Sequence, residues 1–446
     1  MRRWSLFLLL ILTGCFGGGN SRLQMGHPPL APSFLKDLPG EVRNGLAVNY
    51  NQADVGIISE SNLLVSSTGR HIETVDDWLG TRRPEVRQLL IENQYGVAPS
   101  VASTRRATIT HDYSERSVAA LGGKARRTQS TVTAKTGLGS HTIDVLLYMP
   151  ANAKGPTPVV LMVNFSPNVV MVDDEGVKET DAWNDGKRIP GKAARVIAKQ
   201  DVTPFLARGY GVAMVYYGQI EPDFLGGSDY GLRSIYGPVD ETKRAPDEAG
   251  AIATWAEGLS LVREHLALDP SVDGDRIALY GISRLGKAAL WAGANDPRFA
   301  AVIAVCSGEG GGALSKRNYG ETIGHVAANF PYWFAPRWNS YAPSPSSLPI
   351  DAHMVMAMMA PRPLMIIVGE TDAWSDPYGE FLAARLATPV YRLFDKEGVD
   401  GIPPLDVPTH DDLVFMMHSA GHGPVPQDTP AILAFLDRHF RSGKAG

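Results

Sequence analysis

Residues 276–287 read Arg-Ile-Ala-Leu-Tyr-Gly-Ile-Ser-Arg-Leu-Gly-Lys, and the small apolar run Ala288–Ala294 follows them. An apolar stretch, a Gly-x-Ser-x-x-Gly bend and a helix-forming run predict a strand, a sharp turn and a helix. At such a bend the backbone lifts Ser283 above the carboxyl end of the strand. The next amide then points at any oxyanion that forms there, from the positive start of a helix. Gly281 permits close packing beneath the turn, and Gly286 stands in place of the usual nearer glycine. The competing reading is a strand-end serine that caps a helix. Arg284 and Lys287 follow the serine by one and four residues. The first is expected at the oxyanion and the second on the next exposed turn. Two cations there suit an anionic transition state or a hydroxyl-rich substrate, whereas helix starts otherwise favour acidic residues.

Outward from this turn, short continuously apolar runs alternate with helical stretches: 158–165, 211–217, 276–281, 300–305, 364–368 and 390–394. Such runs predict a parallel sheet buried on both faces. Before them, 106–111, 129–136 and 142–148 read as a meander that forms an antiparallel edge. Asp76–Tyr95 opens on an Asp able to cap and carries Trp78, Val86, Leu89, Leu90 and Ile91 at near-helical spacing, which predicts a helix leading into the domain. The fold class expected is α/β, a three-layer sandwich with a mostly parallel central sheet and an antiparallel N-terminal edge. Insertions at 166–200 and 315–361 interrupt it where substrate sites are usually built.

A serine nucleophile needs a base and a group that orients the base, in the chain order Ser, Asp/Glu, His for this fold. Of the histidines after Ser283, His422 lies in the glycine-flanked stretch Ser419-Ala420-Gly421-His422-Gly423-Pro424, just before a terminal helix over 428–440. His422 is therefore the expected base. His418 is expected to be packed or hydrogen-bonded, since a glycine between it and His422 argues against a helical metal pair. For the acid, Asp372 follows the 364–368 strand in the loop from which a carboxylate reaches the histidine. Asp376 is the runner-up, held extended before Pro377. Glu370 and Glu309 stay open.

The chain has 446 residues, 44% of them hydrophobic and 20% charged, enough apolar material for a globular core. Lys+Arg 42 against Asp+Glu 47 gives a net charge of −5, so no basic excess draws it to nucleic acid. Met1-Arg2-Arg3 and the apolar run 4–12 have the form of an export signal, too short to span a membrane. Leu12-Thr13-Gly14-Cys15 matches a bacterial lipobox, so the expected protein is an exported cell-envelope lipoprotein anchored through Cys15. The organisation expected is a signal over 1–15, a tether and N-terminal extension over 16–70, and one catalytic domain over 71–446. Neither a cofactor nor a metal is called for, and a monomer is expected.

Several further motifs stand in order: Gly281-Ile282-Ser283-Arg284-Leu285-Gly286-Lys287, Asp296-Pro297-Arg298-Phe299, Ser307-Gly308-Glu309-Gly310-Gly311, Gly320-Glu321-Thr322, Phe330-Pro331-Tyr332-Trp333-Phe334, Ala360-Pro361-Arg362-Pro363 and Asp376-Pro377-Tyr378-Gly379-Glu380. In these the chain resembles the glucuronoyl esterases, carbohydrate esterase family 15 of the α/β-hydrolases, over most of its length after about Trp78. The resemblance implies hydrolysis of the ester between glucuronate or 4-O-methylglucuronate on xylan and alcohols of lignin. It implies Ser283 as nucleophile, Arg284 in the oxyanion site and His422 as base. It also implies Lys287, Glu321 and Trp374 as contacts to the sugar, with Asn329 where relatives often have a longer amide. Many relatives carry a catalytic Glu where Cys306 stands here; a thiol cannot serve as that acceptor, which supports Asp372. The rival expectations are an acetylxylan or other carboxylic ester hydrolase, and a glycan-binding lipoprotein without catalysis.

Overall fold

The computed structural model describes residues 22–24, 37–55 and 58–441; the export signal and the Cys15 lipobox lie outside them. Nine strands form one sheet: β1 Thr108–Ala120, β2 Ala125–Thr136, β3 Gly139–Pro150, β4 Thr157–Asn164, β5 Gly211–Tyr216, β6 Val272–Ile282, β7 Ala301–Val305, β8 Leu364–Gly369 and β9 Leu413–His418. Their spatial order is β9-β8-β7-β6-β4-β5-β3-β2-β1. The pairs from β5 through β4, β6, β7 and β8 to β9 are parallel, and β3, β2 and β1 add antiparallel to β5. This is the mostly parallel sheet with an antiparallel N-terminal edge that the runs of apolar residues predict.

Alternation along each strand decides which face a side chain serves. Ile277 and Leu279 of β6 join one core cluster, with the helices Ala251–Ala267, Arg284–Asn295 and Pro377–Leu393. Ala278, Tyr280 and Ile282 join the other, under the terminal helix Asp428–Arg441. Because both faces are covered, the central stretches 159–163, 212–215, 277–279, 301–305 and 364–368 are apolar throughout, and period 2 disappears from the sequence.

The structure corrects three expectations. Residues 390–394 are not a strand; the helix Pro377–Leu393 runs through most of them. The ninth strand is Leu413–His418, which the pattern of runs missed. A five-residue apolar run has no period of its own, and here the buried Phe381, Leu382, Ala384 and Ala387 upstream carry the helix forward. The entry helix does run from Val75 to Tyr95, alternating α with wider π turns, but its cap is Thr74, whose hydroxyl pairs with Asp77 in a capping box, not Asp76. The described part of the N-terminal extension packs against the sheet body. Val48, Tyr50, Ile58 and Leu63 are buried in the main core, and the buried Glu60 pairs with Lys316 at 3.2 Å. That part of the N-terminal extension belongs to the same packed body.

Register brings the site together. Ile282 of β6 pairs with Val305 of β7, Val305 with Ile367 of β8, and Gly369 with His418 of β9. β6 and β7 therefore end level, β8 and β9 run two residues further, and the residues that follow all four leave the sheet at one edge.

Candidate active site

Ser283 has φ 55° and ψ −127°, a backbone conformation that L-residues rarely hold and that costs of order 1–3 kcal/mol. It is fixed from both sides: the Ser283 amide donates to Val305 O at 2.8 Å, and the Lys287 amide donates to Ser283 O at 3.1 Å. A Cβ at Gly281 would lie 2.2 Å from Leu285 O, so only glycine allows the helix to start this tightly above the strand. At Gly286 a Cβ would lie 3.1 Å from the side chain of Ser307 on the next strand end. The sequence pattern thus had a steric cause: the bend forces the serine outward where the first helical amides converge.

His422 and Ser283 line the same cleft. His422 Nδ1 lies 2.6 Å from Asp372 Oδ2, with the Ser375 hydroxyl 3.2 Å from the same nitrogen. Asp372 is buried while the imidazole is 44% exposed, so Nδ1–H is committed to the carboxylate and Nε2 is left to exchange a proton with the serine. The runner-up Asp376 is elsewhere engaged: it accepts from Arg317 Nε at 2.7 Å and from the Gly379 amide at 3.0 Å, capping the helix that begins at Pro377. Glu309 is buried under Lys287 and Ser315, and no hydrogen bond joins Glu309 or Glu370 to His422 among the described residues. His418 is fully buried, with Nε2 3.1 Å from Gly423 O and Nδ1 accepting from the Ala420 amide at 3.3 Å, the packed role expected for it.

Cys306 sits beside this pair. Its Sγ, an Asp372 oxygen and a His422 nitrogen all lie within 4.8 Å of one another, and Sγ accepts from the Gly423 amide at 3.4 Å. Burial and the neighbouring Asp372 push the thiol's pKa well above its ordinary value, so it is neutral and packs as a small apolar group.

Arg284 is held by a residue that no spacing in the sequence announced. Asp223, in the loop after β5, accepts from Arg284, from Tyr332 Oη at 2.9 Å, from Trp333 Nε1 at 2.8 Å and from Tyr217 Oη at 3.2 Å. The guanidinium also lies 5.0 Å from the Phe330 ring and 4.7 Å from that of Trp333. Its Nε is buried without a hydrogen-bond partner among the described residues. A fixed cation with a spare donor next to the nucleophile is a preorganised oxyanion site.

Lys287 departs from its expected place. It is 3% exposed rather than on an exposed turn, and Nζ donates to Ser307 O at 2.6 Å. Burial lowers its pKa, and the carboxylates of Glu321, Glu309 and Glu380 oppose that shift. Glu321 is fixed through its amide, which donates to Trp374 O at 2.8 Å, so both sugar-contact candidates belong to one wall. The N-terminal hairpin Glu41–Arg43/Leu46–Val48 reaches the same wall. Arg43 lies 4.1 Å over the Trp374 ring, Asn44 donates to Asn329 Oδ1, and Asn329 Nδ2 donates to His325 O at 2.8 Å. The amide of Asn329 is thus already occupied at both ends, and the Trp374 face carries a cation from the N-terminal extension.

Two outcomes follow. Asp372→Asn is expected to cut kcat by about 10³- to 10⁴-fold with the melting curve intact, since only the imidazole loses its orienting charge. Asp376→Asn is expected to act on stability, by about 3–5 kcal/mol, because it leaves the buried Arg317 unpaired; the reverse pattern in kinetics and thermal melts would transfer the acid to Asp376. The second outcome concerns Glu380, fully buried and accepting from Ser307 Oγ at 2.9 Å and the Gly308 amide at 2.7 Å. Burial pushes its pKa from 4.5 up to about 8. Between those values the folded state keeps a proton that the unfolded chain has released. The stability it contributes is therefore full below about pH 4.5 and is lost toward pH 8, by at most about 1.4 kcal/mol per pH unit. Glu380→Gln is expected to flatten the fall of Tm over that window, and parallel Tm-against-pH curves for the two proteins would refute this.

Comparison with known proteins agrees with this geometry. A family model described as glucuronyl esterase, fungi, matches residues 243–395. The chain is 35% identical over 406 residues to carbohydrate esterase MZ0003 from an unknown prokaryotic organism, covering 89% of this chain and 93% of that one. The solved glucuronoyl esterase from Solibacter usitatus superposes with a TM-score of 0.80 at 36% identity, over 87% of this chain and 100% of that one. A promiscuous CE15 esterase from a marine bacterial metagenome gives a TM-score of 0.79 at 34% identity, over 88% and 100% of the two chains. With its α/β-hydrolase sheet, its strained serine and these relatives, the chain belongs to the glucuronoyl esterases of carbohydrate esterase family 15 and is a carboxylic ester hydrolase.

Proposed function

We propose that the protein cleaves the ester between glucuronate or 4-O-methylglucuronate of xylan and lignin alcohols, acting as a monomer through a covalent acyl-enzyme. The observation that carries the reading is the 2.6 Å contact of His422 Nδ1 with buried Asp372, on the cleft that Ser283 also lines. Ser283 Oγ attacks the uronate carbonyl and its proton passes to His422 Nε2. The oxyanion is met by the Arg284 side chain and the helix-start amide. The imidazolium then returns the proton to the leaving alcohol as the acyl-enzyme forms. Water, activated by the same imidazole, releases the free uronate and restores the serine. Lys287 and Glu321 lie on the acyl side, where a donor and an acceptor can discriminate the sugar hydroxyls; Trp374 and Asn329 border them.

Fungal relatives named 4-O-methyl-glucuronoyl methylesterase support the uronate, and the promiscuity stated for the marine relative makes an acetylated sugar the control to include. Methyl glucuronate is expected to be hydrolysed at least about tenfold faster than methyl galacturonate in kcat/KM, one misplaced hydroxyl being worth that much or more. Ser283→Ala should lose both turnover and labelling by a serine-directed phosphonate. Acetylated xylose turned over faster than either uronate ester would replace the substrate assignment, and labelling that survives Ser283→Ala would remove the nucleophile.

The leader extends the proposal to location. Leu12-Thr13-Gly14-Cys15 supports lipidation at Cys15 and retention at the cell envelope. Incorporation of labelled palmitate that disappears in Cys15→Ala is the expected result; equal incorporation in both proteins would rule the anchor out.

A further inference from the structure

Three side chains of metal-ligating type converge at the strand ends. Cys306 Sγ, an Asp372 oxygen and a His422 nitrogen all lie within 4.8 Å of one another. Each comes from a different strand end: Cys306 follows β7, Asp372 lies in the loop after β8 and His422 in the loop after β9. A thiolate, a carboxylate and an imidazole are the ligands that a borderline-soft divalent ion such as Zn²⁺ takes, with the fourth tetrahedral position left to water. Hydrolysis by the serine uses only the carboxylate and the imidazole. The thiol is a third ligand that the reaction does not need.

The positions need little adjustment. His422 Nδ1 and Asp372 Oδ2 are 2.6 Å apart, and two ligands at about 2.0–2.1 Å from one Zn²⁺ stand roughly 3.3 Å apart. The imidazole is 44% exposed and sits between Gly421 and Gly423, the latter with φ 101°, so the ring has room to withdraw by that difference. Sγ is already next to the same loop, accepting from the Gly423 amide at 3.4 Å. Burial disfavours a bare thiolate at Cys306. A doubly charged ion matches the thiolate and the carboxylate charge for charge, however, and coordination deprotonates the thiol outright.

The consequence for catalysis follows from where the protons go. The thiol proton leaves to solvent. The metal takes the lone pair of Nδ1, so the single proton of the neutral ring moves to Nε2. Nε2 then faces Ser283 as a donor and cannot accept the serine proton, while Asp372 no longer orients the ring.

We propose that Cys306, Asp372 and His422 form an inhibitory site for Zn²⁺, which switches the enzyme off by fixing His422 in the tautomer that cannot act as a base. The inhibition rests on the esterase reading above; the metal site does not.

The test uses the full chain. Zn²⁺ is expected to inhibit hydrolysis of the methyl ester of glucuronate, with activity restored by EDTA, whereas Ca²⁺ and Mg²⁺, which prefer oxygen ligands, leave the rate unchanged. In Cys306→Ala, measured against its own metal-free rate, half-inhibition is expected at a Zn²⁺ concentration at least about tenfold higher, since even the loss of a group behind a ligand costs roughly 10–100-fold in metal affinity. Equal sensitivity of the two proteins overturns the proposal, as does a wild type equally active in Zn²⁺ and in EDTA. Should Cys306→Ala not fold, Cys306→Ser takes its place, because its hydroxyl stays protonated and ligates weakly. Co²⁺ reads the site without substrate: wild type and Ser283→Ala are expected to show a sulfur-to-metal charge-transfer absorption that Cys306→Ala lacks, and a wild type without that band refutes the site. Failure of the esterase reading looks different: the uronate ester is hydrolysed neither with nor without metal, while the cobalt band still decides the site.

Discussion

Everything in this site depends on four neighbouring parallel strands whose ends fall within two residues of one another. The pairings Ile282 with Val305, Val305 with Ile367 and Gly369 with His418 are ordinary ladder registers, set by packing on both faces of the sheet. A slip of one residue would turn every inward side chain to the other face, so the register is strongly held. Its consequence is chemical. Ser283 leaves one strand, Cys306 the next, Asp372 the loop after the third and His422 the loop after the fourth. Residues as far apart in the chain as 283 and 422 are thereby delivered to one edge with no direct sequence relation between them.

On that edge, buried charge is organised in layers. Among the described residues His422 pairs with one carboxylate, because the neighbouring strand end offers a neutral thiol and Asp376 is taken by Arg317. Beneath it Lys287 is surrounded by Glu309, Glu321 and Glu380, of which Glu380 is held neutral to about pH 8 by burial. Beside it Asp223 gathers Arg284, Tyr217, Tyr332 and Trp333 around one carboxylate. Around Lys287 and Arg284 a cation is fixed before any substrate arrives, which is the condition under which a charged donor stabilises an oxyanion without reorganising.

The N-terminal segment reaches Trp374 and Asn329. Its hairpin sets Arg43 on Trp374 and Asn44 on Asn329, and it is itself tied down where the Gly320 amide donates to Asn49 O at 2.9 Å. The Trp374 ring and the Asn329 amide are thereby engaged by residues 331 and 285 positions earlier in the chain.

What the sequence determined by itself was local. The Gly-x-Ser-x-x-Gly bend, the apolar strands, the terminal helix after His422 and the antiparallel edge were readable because glycine sterics, hydrophobic runs and turn residues act within a dozen positions. Asp372 was favoured there over Asp376 by its place after a strand, and the tertiary structure sets Asp372 against His422 and Asp376 against Arg317. Residues 390–394, by contrast, misled, since a short apolar run fits helix and strand equally and only packing chooses. Asp223, the burial of Lys287 and the contacts of Arg43 and Asn44 left no signal, for each arises where segments distant in the chain meet. Local sterics can be read residue by residue; the desolvation and pairing of a charge depend on neighbours that only the folded chain supplies.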